Sequence, residues 1–373
     1  MTNNPILSFF LIISCLGFSQ SYNFKTIVDL EATEVINQGQ TGTCWSFSTS
    51  SFLESEIIRL TGKQIDLSEM YTVRQTYLKK SWNYVMRQGK IQFSQGGLAH
   101  DVMDSAAIHG LVPSHAFLGL ENSNSTHNHS EMITALKGLL NAYINSPEKK
   151  LSPRWKEVVQ RILDIYLGEN VTTFNYEGIS YTPKSFLEMT KIKPEDYISV
   201  TSFMHQPFYT NFVLNIPDNF SNGRFYNVTL DDMSTIVNNA LENGFTIALD
   251  CDVSEKTFSS KHGIAVIPED NASKKKALTT LQPEKTITQA YRQQEFENYN
   301  TTDDHLMHIT GILKDQNGTI YYKVKNSWGK DSDRVSNGGY VYMSAAYFKL
   351  KTISIMLHKD AIPQTLRKKM KLN

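Results

Sequence analysis

Helical and strand-like patterning occupy separate stretches of this 373-residue chain, and that separation restricts the folds open to it. Residues 43–61 (TCWSFSTSSFLESEIIRLT) place Leu53, Ile57 and Leu60 at helical spacing, with Glu54 and Glu56 on other faces and Gly62 as a stop. Residues 67–86 read as a second helix capped by Ser68, and 98–109 as a third, ending before Gly110. From about residue 245 the pattern changes. Residues 245–250 and 306–313 suit buried strands; 319–326 alternates, with Ile320, Tyr322 and Val324 on one face; 339–343 and 352–357 complete the set. Between these regions an Asn-rich loop around Thr126–His129 precedes two helices, near 131–144 and 154–167, and a Tyr- and Asn-rich segment. The reading is an α+β fold of two lobes: a helical lobe over 21–114, a large, mainly helical insertion over 115–240, and a β lobe with a C-terminal arm over 241–373.

Charge narrows the partners. Lys+Arg and Asp+Glu both number 37, so no net field recruits nucleic acid or an anionic membrane. The apolar run at 6–18 (ILSFFLIISCLGF) has the length of a signal-peptide core, so residues 1–20 are read as a signal peptide and the mature protein as exported, to a periplasm or the medium. A second reading lipidates Cys15. No later apolar stretch reaches the roughly 20 residues that span a bilayer. Three cysteines exclude a disulfide scaffold, and without the leader only Cys44 and Cys251 remain.

The chemistry centres on Gln38-Gly39-Gln40-Thr41-Gly42-Thr43-Cys44-Trp45. Cys44 falls at the first turn of the first helix, where free backbone N–H groups and the positive end of the dipole favour a thiolate. Gln38 offers a side-chain amide that, with the Cys44 N–H, makes an oxyanion hole. A thiolate needs a base and a group to orient it. His305 opens one strand and Asn326 closes the next, 21 residues on, a gap that sets two antiparallel strand ends side by side. Asn326 then fixes the imidazole tautomer, and Trp328 shields the pair. His308 competes as base but, three residues along a strand, faces the other side of the sheet. The pair His127 and His129 has no carboxylate or thiol beside it and is not read as a metal site.

Gln38, Cys44-Trp45, a distant His305 and Asn326-Ser327-Trp328-Gly329 together resemble the papain-like cysteine peptidases. Thr41 stands where secreted papain relatives carry a bridging cysteine, and the 261 residues from Cys44 to His305 exceed the roughly 130–150 of that group. Both features, with Leu67-Ser68-Glu69, Gln95-Gly96-Gly97, His109–Pro113, Thr182-Pro183, Cys251-Asp252-Val253, Ser260–Gly263 and Gly339-Tyr340, are similar to the bleomycin hydrolase and aminopeptidase C branch. The resemblance implies a thiol aminopeptidase acting on peptides, with Cys44 as nucleophile, His305 as base and His308 in a structural role. It implies no cofactor or metal, and Gly96-Gly97 presenting backbone to substrate. It also implies a homo-hexamer and a C-terminal carboxylate, here on Asn373, that holds the substrate's free amine. An open-cleft endopeptidase and a non-catalytic binding protein of the same fold are the other readings.

Overall fold

The helix that begins at Cys44, α1 (Cys44–Thr61), is buried along nearly its whole length, from Cys44 to Ile57. Its five serines suit that position because their small side chains allow close approach and find partners. Ser46 Oγ donates to Glu69 O, Ser48 Oγ to Met307 O and Ser55 Oγ to Glu31 O, at 2.8–3.0 Å. The helix ends at Gly62, whose φ of 72° lets its N–H reach Ile58 O.

In the computed structural model, which describes residues 20–120, 125–331 and 333–372, α1 packs with α2 (Glu69–Met86) and α3 (Ala99–His109). Ser68 caps α2 by accepting from Tyr71 N. The middle of the chain supplies α4 (Ser130–Ile144), α5 (Trp155–Leu167) and α6 (Pro183–Thr190). The helices α7 (Leu230–Glu242), α8 (Gln289–Glu297), α9 (Ala345–Lys351) and α10 (Gln364–Met370) accompany the sheet. The strands are β1 (Lys25–Asp29), the small hairpin β2 (Phe174–Tyr176) and β3 (Ile179–Tyr181), β4 (Tyr197–Thr201), β5 (Asn211–Val213), β6 (Arg224–Asn227) and β7 (Ile247–Cys251). They continue with β8 (Phe258–Ser259), β9 (Ile264–Ala265), β10 (His305–Lys314), β11 (Ile320–Lys325), β12 (Tyr340–Ser344) and β13 (Thr352–His358).

One sheet runs β5-β6-β4-β13-β7-β10-β11-β12-β9-β8, with β1 added beside β10. The segment expected as an insertion therefore contributes three strands at one end of this sheet as well as helices. In the centre, β10 lies antiparallel between β7 and β11, with His305 opposite Cys251 and His308 opposite Lys325. The two faces of the sheet carry different cores. Ala248 and Leu306 pack with α1, while Leu249, Met307 and Ile309 pack with Met233, Ile236 and Val237 of α7.

Three features go beyond the sequence reading. Glu54 and Glu56, on other faces of α1 than Leu53, Ile57 and Leu60, are themselves buried, at 3% and 1% exposed. Glu54 accepts from Leu67 N, and Glu56 pairs with Arg59 and Tyr197, so α1 has no free face on which to put them. In β11 the second face is also covered, because Tyr321 packs edge-on to Tyr22 and Phe24 from the start of the described chain. The His127–His129 loop is anchored: His129 is 3% exposed beside the Tyr77 hydroxyl, and His127 O accepts from Gln40 N. Residues 1–19, on which the expected signal peptide and Cys15 fall, and Asn373 lie outside the described residues, and among those residues no helix is long and apolar enough to cross a membrane.

Candidate active site

Cys44 opens α1 at the point where the helix meets the start of β10. The Leu306 backbone lies close enough to the sulfur to favour its thiolate, which puts the thiol against the residue next to His305. His305 Nε2 lies 2.8 Å from Asn326 Oδ1, and the same oxygen accepts from Ser327 N at 2.7 Å. Asn326 is thus fixed to accept from the ring, leaving Nδ1 as the nitrogen that can take the thiol proton. The Trp328 ring covers His305 with centroids 4.8 Å apart.

Burial sets the electrostatics of the pair. Desolvation pushes the Cys44 thiol up to about 12, against the Leu306 backbone that lowers it, and the charges of Asp218, Asp303 and Asp250 add to the rise. Desolvation also holds the His305 imidazole below its ordinary value, opposed by Asn326 and Asp304. Neither group therefore carries charge alone, and the helix N-terminus by itself does not outweigh burial. Transfer of one proton from a thiol to an imidazole is the way such a pair acquires charge in a buried site, and a helix N-terminus favours the thiolate that results.

The oxyanion side is built from two backbone stretches stitched together. Gln38 N donates to Ser327 O and Gly329 N to Ile36 O. The Gln38 side chain is clamped at both ends: Oε1 accepts from Ser327 Oγ at 2.6 Å, and Nε2 donates to Thr41 O at 2.7 Å, leaving its second hydrogen for a substrate oxyanion. The preceding fold of the loop needs Gly39, whose φ is 67° and whose absent Cβ would lie 2.6 Å from His127 O. Replacing Gln38 by Ala is expected to lower kcat by about 10²–10³-fold, read as steady-state peptide hydrolysis.

The remaining sequence-predicted residues fall as follows. Trp45 is fully buried, donates from Nε1 to Gln95 O at 2.9 Å, and lies 3.1 Å beneath the position of a Cβ on Gly97. Gly96 O accepts from Lys80 Nζ, and a Cβ there would collide with the Asp218 carboxylate. His308 sits away from His305, on the face toward α1, bonded to Ser51 Oγ at 2.9 Å. Cys251 is buried in the core on the α7 side. Gln95, to which the sequence assigned no role, ties the cysteine loop down: its Oε1 accepts from Gly42 N at 2.7 Å. Glu54, Glu69 and Lys325 were given no shared site by the sequence. They come from α1, α2 and β11 and line a cavity of about 350 Å³ that Asn326 also borders.

The site agrees with the chain's similarities. Residues 92–373 match a sequence profile described as Peptidase C1-like family, and residues 19–128 one described as Papain family cysteine protease. Aminopeptidase C of Listeria monocytogenes is 23% identical, the alignment covering 91% of this chain and 83% of that protein. Aminopeptidase C of Lactococcus lactis subsp. cremoris is 24% identical over 90% and 83% of the two chains, and a Saccharomyces cerevisiae protein named "Cysteine proteinase 1, mitochondrial" is 24% identical over 93% and 79%. Among solved structures, PepW of Lactobacillus rhamnosis superposes with a TM-score of 0.74 at 20% identity, covering 93% of this chain and 84% of that one, a likeness of fold.

Proposed function

The chain belongs to the Peptidase C1-like family of cysteine peptidases, and from that premise we propose that it removes N-terminal residues from peptides through Cys44, His305 and Asn326. The observation that carries the reading is the Cys44 sulfur held at the head of α1, against the residue that follows an Asn-oriented histidine. The aminopeptidase part draws on the similarity to the proteins named Aminopeptidase C.

In this mechanism Cys44 Sγ passes its proton to His305 and attacks the scissile carbonyl carbon. The carbonyl oxygen takes up the electron pair and is held by the Cys44 N–H and the free Gln38 Nε2 hydrogen. Collapse of the adduct breaks the C–N bond, with His305 returning the proton to the leaving amine. Water, deprotonated by His305, then cleaves the thioester and restores the thiol. Every proton is carried by His305, and Asn326 keeps the ring turned for both transfers. Export rests on the apolar run at 6–18, and a homo-hexamer on the family resemblance alone.

One observation favours a papain-like endopeptidase as the second reading. The C-terminal segment as far as Leu372 packs into the core on the α7 side of the sheet, with Leu366 and Met370 buried there and Asn239 Nδ2 bonded to Ala361 O. The two readings separate on fluorogenic amides of free and Nα-acetylated amino acids. Hydrolysis confined to free-amine substrates is the expected result; efficient cleavage of the acetylated ones would replace the aminopeptidase with the endopeptidase.

A further inference from the structure

Three aspartates from separate parts of the chain converge beside the nucleophile. Asp250 lies in β7 opposite Leu306, on strands whose Ala248 and Leu306 share the core of Cys44. Asp303 precedes β10 by two residues, and Asp218 arrives from the loop before β6, against Gly96. The Asp218 amide donates to Asp303 Oδ2 at 3.3 Å, while the Asp250 and Asp303 carboxyls hydrogen-bond to each other, the proton staying on Asp250. All three charges reach the Cys44 thiol.

This group lacks the donors that three carboxylates require. Asp250 is 3% exposed; its Oδ2 accepts from Ser354 Oγ at 3.2 Å, but its Oδ1 has no partner. Asp218 Oδ1 has a long contact of 3.5 Å from Ser94 Oγ. The adjacent cation, Lys80, is directed to Gly96 O and to the Phe220 ring 4.9 Å away. Burial, with like charge added, keeps these acids above the ordinary carboxylate range, Asp303 at about 7, although the Lys80 charge opposes the rise at Asp218. A cation with several N–H donors relieves both the repulsion and the unpaired oxygen. The carboxylates that converge tightly enough for a metal ion, among the described residues, are Glu54, Asp66 and Glu69, elsewhere in the helical lobe. Beside Asp303 a cavity of about 370 Å³, walled by Pro217, Phe296 and Thr301, leaves room for a side chain.

We propose that Asp218, Asp250 and Asp303 form a subsite for a substrate ammonium group held next to the scissile bond, the role that the resemblance gave to a carboxylate on Asn373. The subsite rests on peptide hydrolysis at Cys44, and its ammonium is either the α-amine of an N-terminal residue or the side chain of a lysine one residue before the bond.

The test compares the wild type with Asp218→Asn and Asp303→Asn, each near-isosteric, on four fluorogenic amides: leucyl, acetyl-leucyl, acetyl-lysyl-leucyl and acetyl-norleucyl-leucyl. Iodoacetamide alkylation of Cys44 reports that the site is folded. In both variants KM for the preferred ammonium-bearing substrate is expected to rise by about ten- to a hundredfold, with kcat and the norleucyl substrate little changed. Loss of a preference for leucyl amide assigns the subsite to the α-amine. Loss of a preference for acetyl-lysyl-leucyl amide keeps the subsite but removes the aminopeptidase reading. Unaltered KM values in variants that alkylate normally, while the wild type still prefers the free amine, overturn the subsite and leave that reading standing. The wild type gives an independent measurement: leucinamide should inhibit at least about tenfold better than its desamino analogue, and equal inhibition overturns the proposal.

Discussion

Replacing Cys44 by alanine is expected to lower kcat/KM on peptide amides by at least about 10⁴-fold while the protein stays folded. In the proposed cycle the acyl group is carried on Sγ, so without it neither the tetrahedral adduct nor the thioester forms. The structural consequence is small, since the change removes one atom from the first turn of a helix whose neighbours remain. A stability change within about 1–2 kcal/mol is anticipated by chemical denaturation. Cys251→Ala is the matched control, because Cys251 is the second buried thiol, lies in the core on the α7 side and takes no part in the proposed cycle. Its kcat/KM should stay near that of the wild type. Substantial activity in Cys44→Ala, or its loss in Cys251→Ala, would exchange the roles of the two thiols.

The second large effect is on stability. Trp45→Ala is expected to destabilise the protein by about 3–5 kcal/mol and to lower activity in the molecules that remain folded. Trp45 is fully buried one residue after the nucleophile, so truncation opens a cavity at the head of α1. It also removes the Nε1 bond to Gln95 O and the floor beneath Gly97. Trp45→Phe separates these contributions. It keeps most of the packing but loses the bond to Gln95, so it should cost roughly 1–3 kcal/mol. Urea midpoints and kcat for both variants are the measurements. Equal losses for Phe and Ala would show that the hydrogen bond, and not the ring, fixes the cysteine loop.

How far the site could be read from the sequence depends on whether its parts are local. The position of Cys44 was legible because a glycine-containing loop, a buried tryptophan and a serine-rich helix are contiguous. His305 and Asn326 were legible because they end two neighbouring strands, so the 21 residues between them measure the hairpin that brings them together. The aspartate subsite was not, because Asp218, Asp250 and Asp303 share no spacing and meet only through the pairing of β7 with β10 and the return of the 218 loop. The burial of the charges on α1 was not legible for a related reason. Helical periodicity separates apolar from polar positions, but a helix surrounded on all sides buries both, and Glu54 is satisfied by Leu67 N and Thr33, which no local pattern reveals. Gln95 lay inside a quoted motif, yet its bonds to Gly42 and Trp45 belong to the tertiary structure.

The order in which the chain leaves the ribosome gives the stitched oxyanion loop a further meaning. The thiol and Gln38 are made early, but the strand that holds Gln38 in place, at Ser327–Gly329, and the base with its orienting amide are made only near the end. A nascent chain therefore carries a cysteine and no peptidase. Assembly of the site therefore waits until β10 pairs with β7 and β11, the strands that bring His305 and Asn326 together.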